Sequence, residues 1–293
     1  MNDASQTARS FRDKWHHNPN LAFAETLRNG SEIQNWILGR NGFLSTSDFA
    51  EWLAPKRRIL DAGCGNGRVT ALLRVHAPPD AEVVGIDLTA AEVARQNLQR
   101  FSPVTIVERD LLGTLDDLGT FDLIYCQEVL HHTTDPAAAF ANLVRRLSTD
   151  GEIAIYVYRQ KAPLREHADD YVRERVAGLS YDDAVLAMRQ ITELGKALTE
   201  LNARVTVGRV DVLGIEPGEY EVQRLLYHYF LKCFWNPALD FGENVAINYD
   251  WYHPELCSRH TLPEVEDWFV SQSLTILHRH VDPYGITVRG RRR

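Results

Sequence analysis

The chain has 293 residues, a formal net charge of −8, and 44% hydrophobic and 25% charged residues. That length and composition suit one globular core with an elaboration and exclude a disordered chain. The acidic balance excludes a nucleic-acid-binding body, which needs a concentrated basic face, and the basic run at 289–293 reads as a solvated tail. No stretch approaches the roughly 20 apolar residues of a membrane helix. The start, Met1-Asn2-Asp3-Ala4-Ser5-Gln6, lacks the basic-then-apolar order of a signal peptide, so a cytoplasmic location is expected. Cys64, Cys126, Cys233 and Cys257 are scattered with no CxxC pair, which points to reduced thiols and to neither a zinc site nor a disulfide framework.

In chain order, residues 1–53 are amphipathic at helical spacing (Phe11, Trp15, Ile33, Trp36, Ile37, Leu38) and are expected to form an N-terminal helical lid, with His16 and His17 on its surface. Residues 54–159 alternate apolar strand-like runs at 58–60, 82–86, 104–107, 121–125 and 152–158 with helical pieces at 90–101 and 135–147. The second of these helices opens with Asp135 as cap and Pro136 in the first turn. Strands spaced by helices predict βαβ units and a mostly parallel, doubly wound sheet. Residues 160–258 break this rhythm, being charged and helix-rich to Leu201 and then dense in aromatics. They are expected to be a helical cap inserted after the fifth strand. Within it, Arg165, Asp169, Asp170 and Arg173 read as a solvated face, and the aromatic stretch from Tyr227 to Trp235 as core. Residues 259–293 return to the sheet with a helix at 262–270, announced by a Thr261–Glu264 capping box and Pro263, and strands at 274–280 and 286–288. The expected whole is an α/β, Rossmann-like, seven-stranded sheet.

The segment Ile59-Leu60-Asp61-Ala62-Gly63-Cys64-Gly65-Asn66-Gly67 leaves the first strand and opens a helix. Glycines there let the backbone approach a ligand closely. Asp87 ends the next strand about 20 residues later, the place of an acid that grips ribose hydroxyls, and Asp110 ends the third. The run Asp-Ala-Gly-Cys-Gly-Asn-Gly resembles the first motif of class I S-adenosylmethionine-dependent methyltransferases and differs from the GxGxxG of nicotinamide dehydrogenases. The likeness covers about residues 57–158 well and the C-terminal end loosely. The resemblance implies that Asp61, Gly63 and Gly65 line the methionine moiety and that Asp87, with Leu88 beside it, binds the ribose. It further implies that Asp110 and Leu111 contact adenine. The run from Phe121 to His132 is similar to the family's fourth motif, in which the strand end, here Gln127, faces the methyl group. S-adenosylmethionine as cofactor, S-adenosylhomocysteine as product, a small-molecule acceptor and no metal, nucleic acid or membrane partner are the corresponding expectations.

Methyl transfer needs alignment of nucleophile, carbon and sulfur, and for a hydroxyl or ammonium acceptor something must take a proton. His131, just past the fourth strand, suits a base or acceptor anchor, with His132 as second choice. The cluster of Tyr252, His253, Arg259 and His260 combines an aromatic wall with polar groups and is expected to line the acceptor site. The acceptor atom is expected to be O or N of a sugar, amine or specialised metabolite. Three competing readings are a nicotinamide-dependent oxidoreductase, which calls for GxGxxG after the first strand, a non-catalytic scaffold, which would have lost Asp87 or the glycines, and an enzyme that keeps the cofactor but modifies a lipid or the cofactor itself, which calls for an apolar channel pattern.

Overall fold

A computed structural model of the chain describes residues 3–292. In order, its elements are α1 (Asp3–His17), α2 (Phe23–Leu27), α3 (Glu32–Arg40), α4 (Thr46–Leu53), β1 (Arg58–Ala62), α5 (Arg68–His76), β2 (Glu82–Asp87), α6 (Ala91–Leu98), β3 (Val104–Glu108), β4 (Phe121–Gln127), α7 (Pro136–Val144) and β5 (Leu147–Tyr158). They continue with α8 (Pro163–Val176), α9 (Tyr181–Glu200), β6 (Arg204–Val207), β7 (Gly218–Glu221), α10 (Val222–Tyr229), α11 (Phe241–Tyr252), α12 (Leu262–Ser271), β8 (Leu274–Val281) and β9 (Gly285–Arg292). Two compact units divide them: Trp15–Arg159 with the residues from Ser258 onward, and the residues through Lys14 with Gln160–Cys257. The 53 residues expected as one lid therefore split after Lys14.

The first unit is the sheet. Its seven strands run in the order β3-β2-β1-β4-β5-β9-β8, with β1 to β5 parallel and β9 antiparallel to both β5 and β8. This is the doubly wound, Rossmann-like arrangement expected from the alternation of strands and helices. Both faces of the central strands are buried, as a parallel sheet requires. Leu60, Val84, Ile124 and Ile155 pack with Phe140 of α7 and Phe269 of α12 on one side. Ile59, Val83, Leu123 and Ala154 pack with Ile37, Phe49, Leu53 and Leu72 on the other. The helix signals are realised as read: Asp135 accepts from Ala138 N with Pro136 in the first turn, and Thr261 and Glu264 form a reciprocal capping box. The basic run is a correction. Arg289 to Arg292 are strand residues of β9, Arg289 lies over the Phe43 and Trp52 rings, and Arg291 bonds Glu152. A strand paired on both sides cannot be a solvated tail. Arg293 lies outside the described residues.

The second unit is mostly helical and is built around a buried charge. Arg165 and Asp169, one turn apart on α8, form a 2.7 Å ion pair at 2% and 0% side-chain exposure. Trp251 Nε1 and Tyr252 Oη add donors to the same carboxylate at 2.8 and 2.9 Å. The supposed solvated face is thus an interior one, and only Asp170 of the four keeps substantial exposure. Arg173 is buried and reaches Trp251 O. Lys232 is buried over the Trp251 ring, and burial pulls its ammonium down to about 8. The early turns of α1 complete this unit: Gln6 bonds the carbonyls of Ala177 and His253, and Lys14 pairs with Asp250 at 2.6 Å. The region expected as a helical cap also holds an antiparallel hairpin, β6 with β7, in which Val205 and Val207 alternate with Arg204 and Thr206.

Candidate functional site

The glycine loop joins β1 to α5 at the carboxyl end of the sheet, where open α/β sheets bind ligands. Gly63 N and Cys64 N both donate to Ile86 O, at 2.7 and 2.9 Å, which folds the loop back against β2. Gly63 and Gly65 hold φ of +82° and +55°. A Cβ on Gly63 would lie 2.3 Å from Val129 Cγ2, and one on Gly65 2.8 Å from the Trp15 ring. Here any side chain would both strain the backbone and fill the cradle, which makes the glycines a requirement of the site.

Asp87, at the end of β2, organises the loop. Its Oδ2 accepts from Gly65 N at 2.9 Å, and its Oδ1 accepts from Thr89 N and Ala90 N, each at 2.8 Å. The acid thereby fixes both the glycine loop and the entry to α6, while itself remaining half-buried. Asp61 is 2% exposed and takes the Thr70 hydroxyl at 2.6 Å. Burial raises its carboxyl to about 7, although the Thr70 bond pulls the other way. Burial also pushes up the Cys64 thiol, next along the loop. All four cysteines are buried thiols.

At the ends of β2 and β3, Leu88 and Asp110 are exposed, and Asp110 holds Leu112 N at 2.9 Å. Leu111 is a correction: it is 6% exposed and belongs to the core, while Leu112 is the leucine at the surface. The turn that follows β3 carries Leu111 inward and Leu112 outward. Gln127 ends β4 with its Oε1 accepting from Tyr125 Oη at 2.9 Å. Glu128 follows with φ +60°, and its carboxylate meets Arg68 Nη2 at 3.2 Å.

His131 sits in a helical turn at Leu130–His132 and is 0% exposed. Its ring stacks on Tyr158 at 3.7 Å, and its Nδ1 faces Tyr158 N at 3.4 Å. Its carbonyl accepts from Ser258 N. In the structure the His131 ring is closed from solvent and packed under the loop. His132 beside it keeps partial exposure.

The four residues expected as acceptor lining separate. Tyr252 and His253 are 0% and 1% exposed in the interior of the helical unit. Tyr252 is spent on Asp169, and His253 lies between Ser10 Oγ at 2.9 Å and Leu179 O at 3.3 Å, with burial lowering its pKa. Both are packing residues: an aromatic next to a polar ring signals a pocket only when one side is open. Replacement of His253 by alanine is expected to cost about 2 kcal/mol of stability, read by denaturant melting, with no change in S-adenosylhomocysteine affinity. A loss of turnover in the folded protein without loss of stability would return it to the acceptor site. Arg259 and His260 belong to the sheet unit, where His260 N bonds Tyr158 O at 2.9 Å. Both nitrogens of the His260 ring are engaged, by Glu264 at 2.8 Å and Ser258 at 2.9 Å, whereas Arg259 is partly exposed at the end of β5.

Three contributors were missed from sequence. Trp15 lies on Gly65, buried Asn66 donates to the carbonyls of Pro19 and Leu21 at 3.0 and 3.1 Å, and Arg68 bonds Thr26 at 3.1 Å. Together they fasten residues 15–26 to the glycine loop. The one available signal was Asn66 itself, a large polar residue between two glycines.

A family model described as Methyltransferase domain matches residues 60–155. An uncharacterized protein of Synechococcus is 35% identical over 54% of this chain and 39% of its own length. A trans-aconitate 2-methyltransferase of Deinococcus radiodurans is 32% identical over 35% of this chain and 38% of its own length. The match thus spans about two fifths of these relatives. The solved structure of magnesium protoporphyrin IX methyltransferase from Synechocystis, with S-adenosylmethionine bound, shares the fold at a TM-score of 0.50 and 12% identity, covering all of this chain and 98% of the other. The match begins inside β1 and ends in β5, so it contains the glycine loop and the strand ends at Asp87, Asp110 and Gln127. Residues 60–155 thus match a methyltransferase domain, on a fold shared with S-adenosylmethionine-binding methyltransferases.

Proposed function

We propose that the chain transfers a methyl group from S-adenosylmethionine to an oxygen or nitrogen atom of a small-molecule acceptor, in the cytoplasm and without nucleic acid or membrane as substrate. The observation that carries this reading is the glycine cradle clamped by Asp87 at the carboxyl ends of β1 and β2. Four buried cysteines, none in a disulfide, support the location. Among the described residues no helix is long and apolar enough to cross a membrane. Relatives named as acting on trans-aconitate and in ubiquinone biosynthesis favour oxygen as the acceptor atom.

The residues present fit the cofactor. In this reading Asp61, Gly63 and Gly65 take its methionine end, Asp87 the ribose, and Leu88, Asp110 and Leu112 the adenine. When bound, it supplies an electrophilic methyl group on a sulfonium. The protein's share is alignment and exclusion of water. The Asn41–Tyr125–Gln127 hydrogen-bond chain, 2.9 Å at each step, holds the Gln127 amide at the end of β4. His132, with Arg259 nearby in the chain segment along β5, is the proposed proton acceptor for the substrate. A screen with isotopically labelled cofactor against hydroxylated, carboxylated and amino small molecules tests the reading, and labelling of none of them speaks against it.

Asp61 gives a pH signature. Its folded value of about 7 lies above the ordinary aspartate value of 3.8, so the native state holds this proton between those limits. Stability from this group therefore falls as pH rises from about 4 to 7, by a total of about 4 kcal/mol. A cationic methionine ammonium placed beside it would drive the proton off. Calorimetry of S-adenosylhomocysteine binding at about pH 6.5, in buffers of different ionisation heat, is expected to show release of about half a proton or more, abolished in Asp61→Asn. Equal heats in all buffers would remove Asp61 from the site.

A further inference from the structure

On the face of the sheet covered by α3 and α4, Tyr125 and Gln127 of β4, Tyr156 of β5, and Thr287 and Arg289 of β9 stand in neighbouring register positions. Arg40, the last residue of α3, lies over them at 2% exposure. Its guanidinium carbon is 3.8 Å from the Trp36 ring centre and 4.0 Å from that of Tyr156. Those rings are 5.5 Å apart and nearly perpendicular, so the guanidinium occupies the corner between them. Among the described residues none of its three nitrogens makes a hydrogen bond of good geometry, although the Tyr125 hydroxyl lies close enough to feel its charge. Ring contacts of this kind contribute about 0.5–2 kcal/mol each, while taking an unpaired ion out of water costs several kcal/mol. The aromatic corner alone does not account for a cation here.

The surroundings share the same deficit. Thr287 Oγ1 and Arg289 Nε are also buried without hydrogen-bond partners, and the one such acceptor beside them, Asn41 Oδ1, carries no charge to balance a guanidinium. Glu152, the carboxylate that draws on Arg289, is committed to Trp52, Lys56 and Arg291. The face has donors in excess and lacks an anion. The anion a guanidinium fork best matches is a carboxylate, which it meets with two parallel hydrogen bonds. Its position is informative as well. Tyr156 is the register partner of Gln127, so Arg40 stands at the end of the sheet where the proposed reaction occurs.

We propose that Arg40 binds a carboxylate of the methyl acceptor, which makes the acceptor an organic acid. The inference rests on the methyl-transfer reading above. In the structure the guanidinium is closed from solvent. Trp36, half-buried and held by a 3.3 Å bond from Nε1 to Asp282, is the side chain whose rotation opens it. Asp282 is otherwise engaged with Tyr284 N and Gly285 N, so it stays in place when Trp36 turns.

The test is calorimetric titration of wild type, saturated with S-adenosylhomocysteine, with benzoate, succinate and trans-aconitate, each beside its uncharged amide. At least one acid is expected to bind about tenfold or more tightly than its amide, and Arg40→Met to abolish that preference while leaving S-adenosylhomocysteine affinity within about twofold. Arg40→Lys keeps the charge and loses the fork, and is expected to weaken acid binding by about threefold or more; it carries the test should Arg40→Met fail to fold. Absence of any acid preference in wild type overturns the proposal. So does undiminished preference in either variant, and a higher melting temperature of Arg40→Met with acid binding intact would identify the residue as a packing feature. If the methyltransferase reading alone fails, S-adenosylhomocysteine does not bind, while acid selectivity and its dependence on Arg40 persist in the protein without it.

Discussion

Asp87→Ala is expected to weaken S-adenosylhomocysteine binding by about ten- to a hundredfold. The carboxylate does two things that alanine cannot. It holds Gly65 N, Thr89 N and Ala90 N, and so keeps the glycine loop and the start of α6 in the shape that receives the ligand. In the proposed complex its remaining acceptor capacity takes ribose hydroxyls. Each backbone donor left without a partner costs about 1–3 kcal/mol, so part of the loss will appear as reduced stability. Asp87→Asn separates the parts: it preserves shape and one acceptor oxygen, but turns an NH2 towards a backbone N–H. An affinity unchanged in both variants, measured calorimetrically, would remove the cofactor assignment from this residue.

The two adjacent histidines are expected to diverge. His132→Ala should lower turnover by about a hundredfold with S-adenosylhomocysteine affinity within a few-fold, as befits a group that accepts a proton in the transition state. His131→Ala should instead cost about 2–4 kcal/mol of stability, because it empties a fully buried site and removes the stack on Tyr158. Its folded fraction should turn over within a few-fold of wild type. Steady-state kinetics with denaturant melts on both variants decide the matter. A His131 variant that is stable yet inactive would reverse the assignment drawn from its burial.

Much of the sheet and its strand-end loop was legible because those signals are local. Ile59 to Gly67 carries its strand, turn and helix start within nine consecutive positions, and Asp135 and Thr261 announce their helices within one turn. What escaped depends on distant partners. Arg165 and Asp169 have the spacing of a solvated pair, and only the aromatics of α11, more than 80 positions on, make them interior. Arg289 to Arg292 look like a tail by composition, yet strand pairing with β5 and β8 overrides charge. His131 and His132 differ by one position and cannot be ranked without knowing which side of the turn meets Tyr158. Arg40 carried no signal at all: a lone arginine at a helix end usually reaches water, and its burial follows from Tyr156 and Trp36 meeting above β5.

The fastening of Asn66 has a consequence for chemical ageing. Asn66 precedes Gly67, the pairing in which the following amide nitrogen most easily attacks an asparagine side chain, closing a succinimide that hydrolyses to aspartate or isoaspartate. In the fold the two reactants are kept apart. Gly67 N is donated to Cys64 O at 2.8 Å, while Asn66 Nδ2 is held by the carbonyls of Pro19 and Leu21. The reaction therefore runs through the opened loop, at a rate set by how often it opens. Its product is self-perpetuating, since a carboxylate facing two carbonyl oxygens repels the segment the amide once held. Ligands that keep the loop shut are accordingly expected to preserve the protein on storage, and the loop's opening can be timed by the slow appearance of the acidic form.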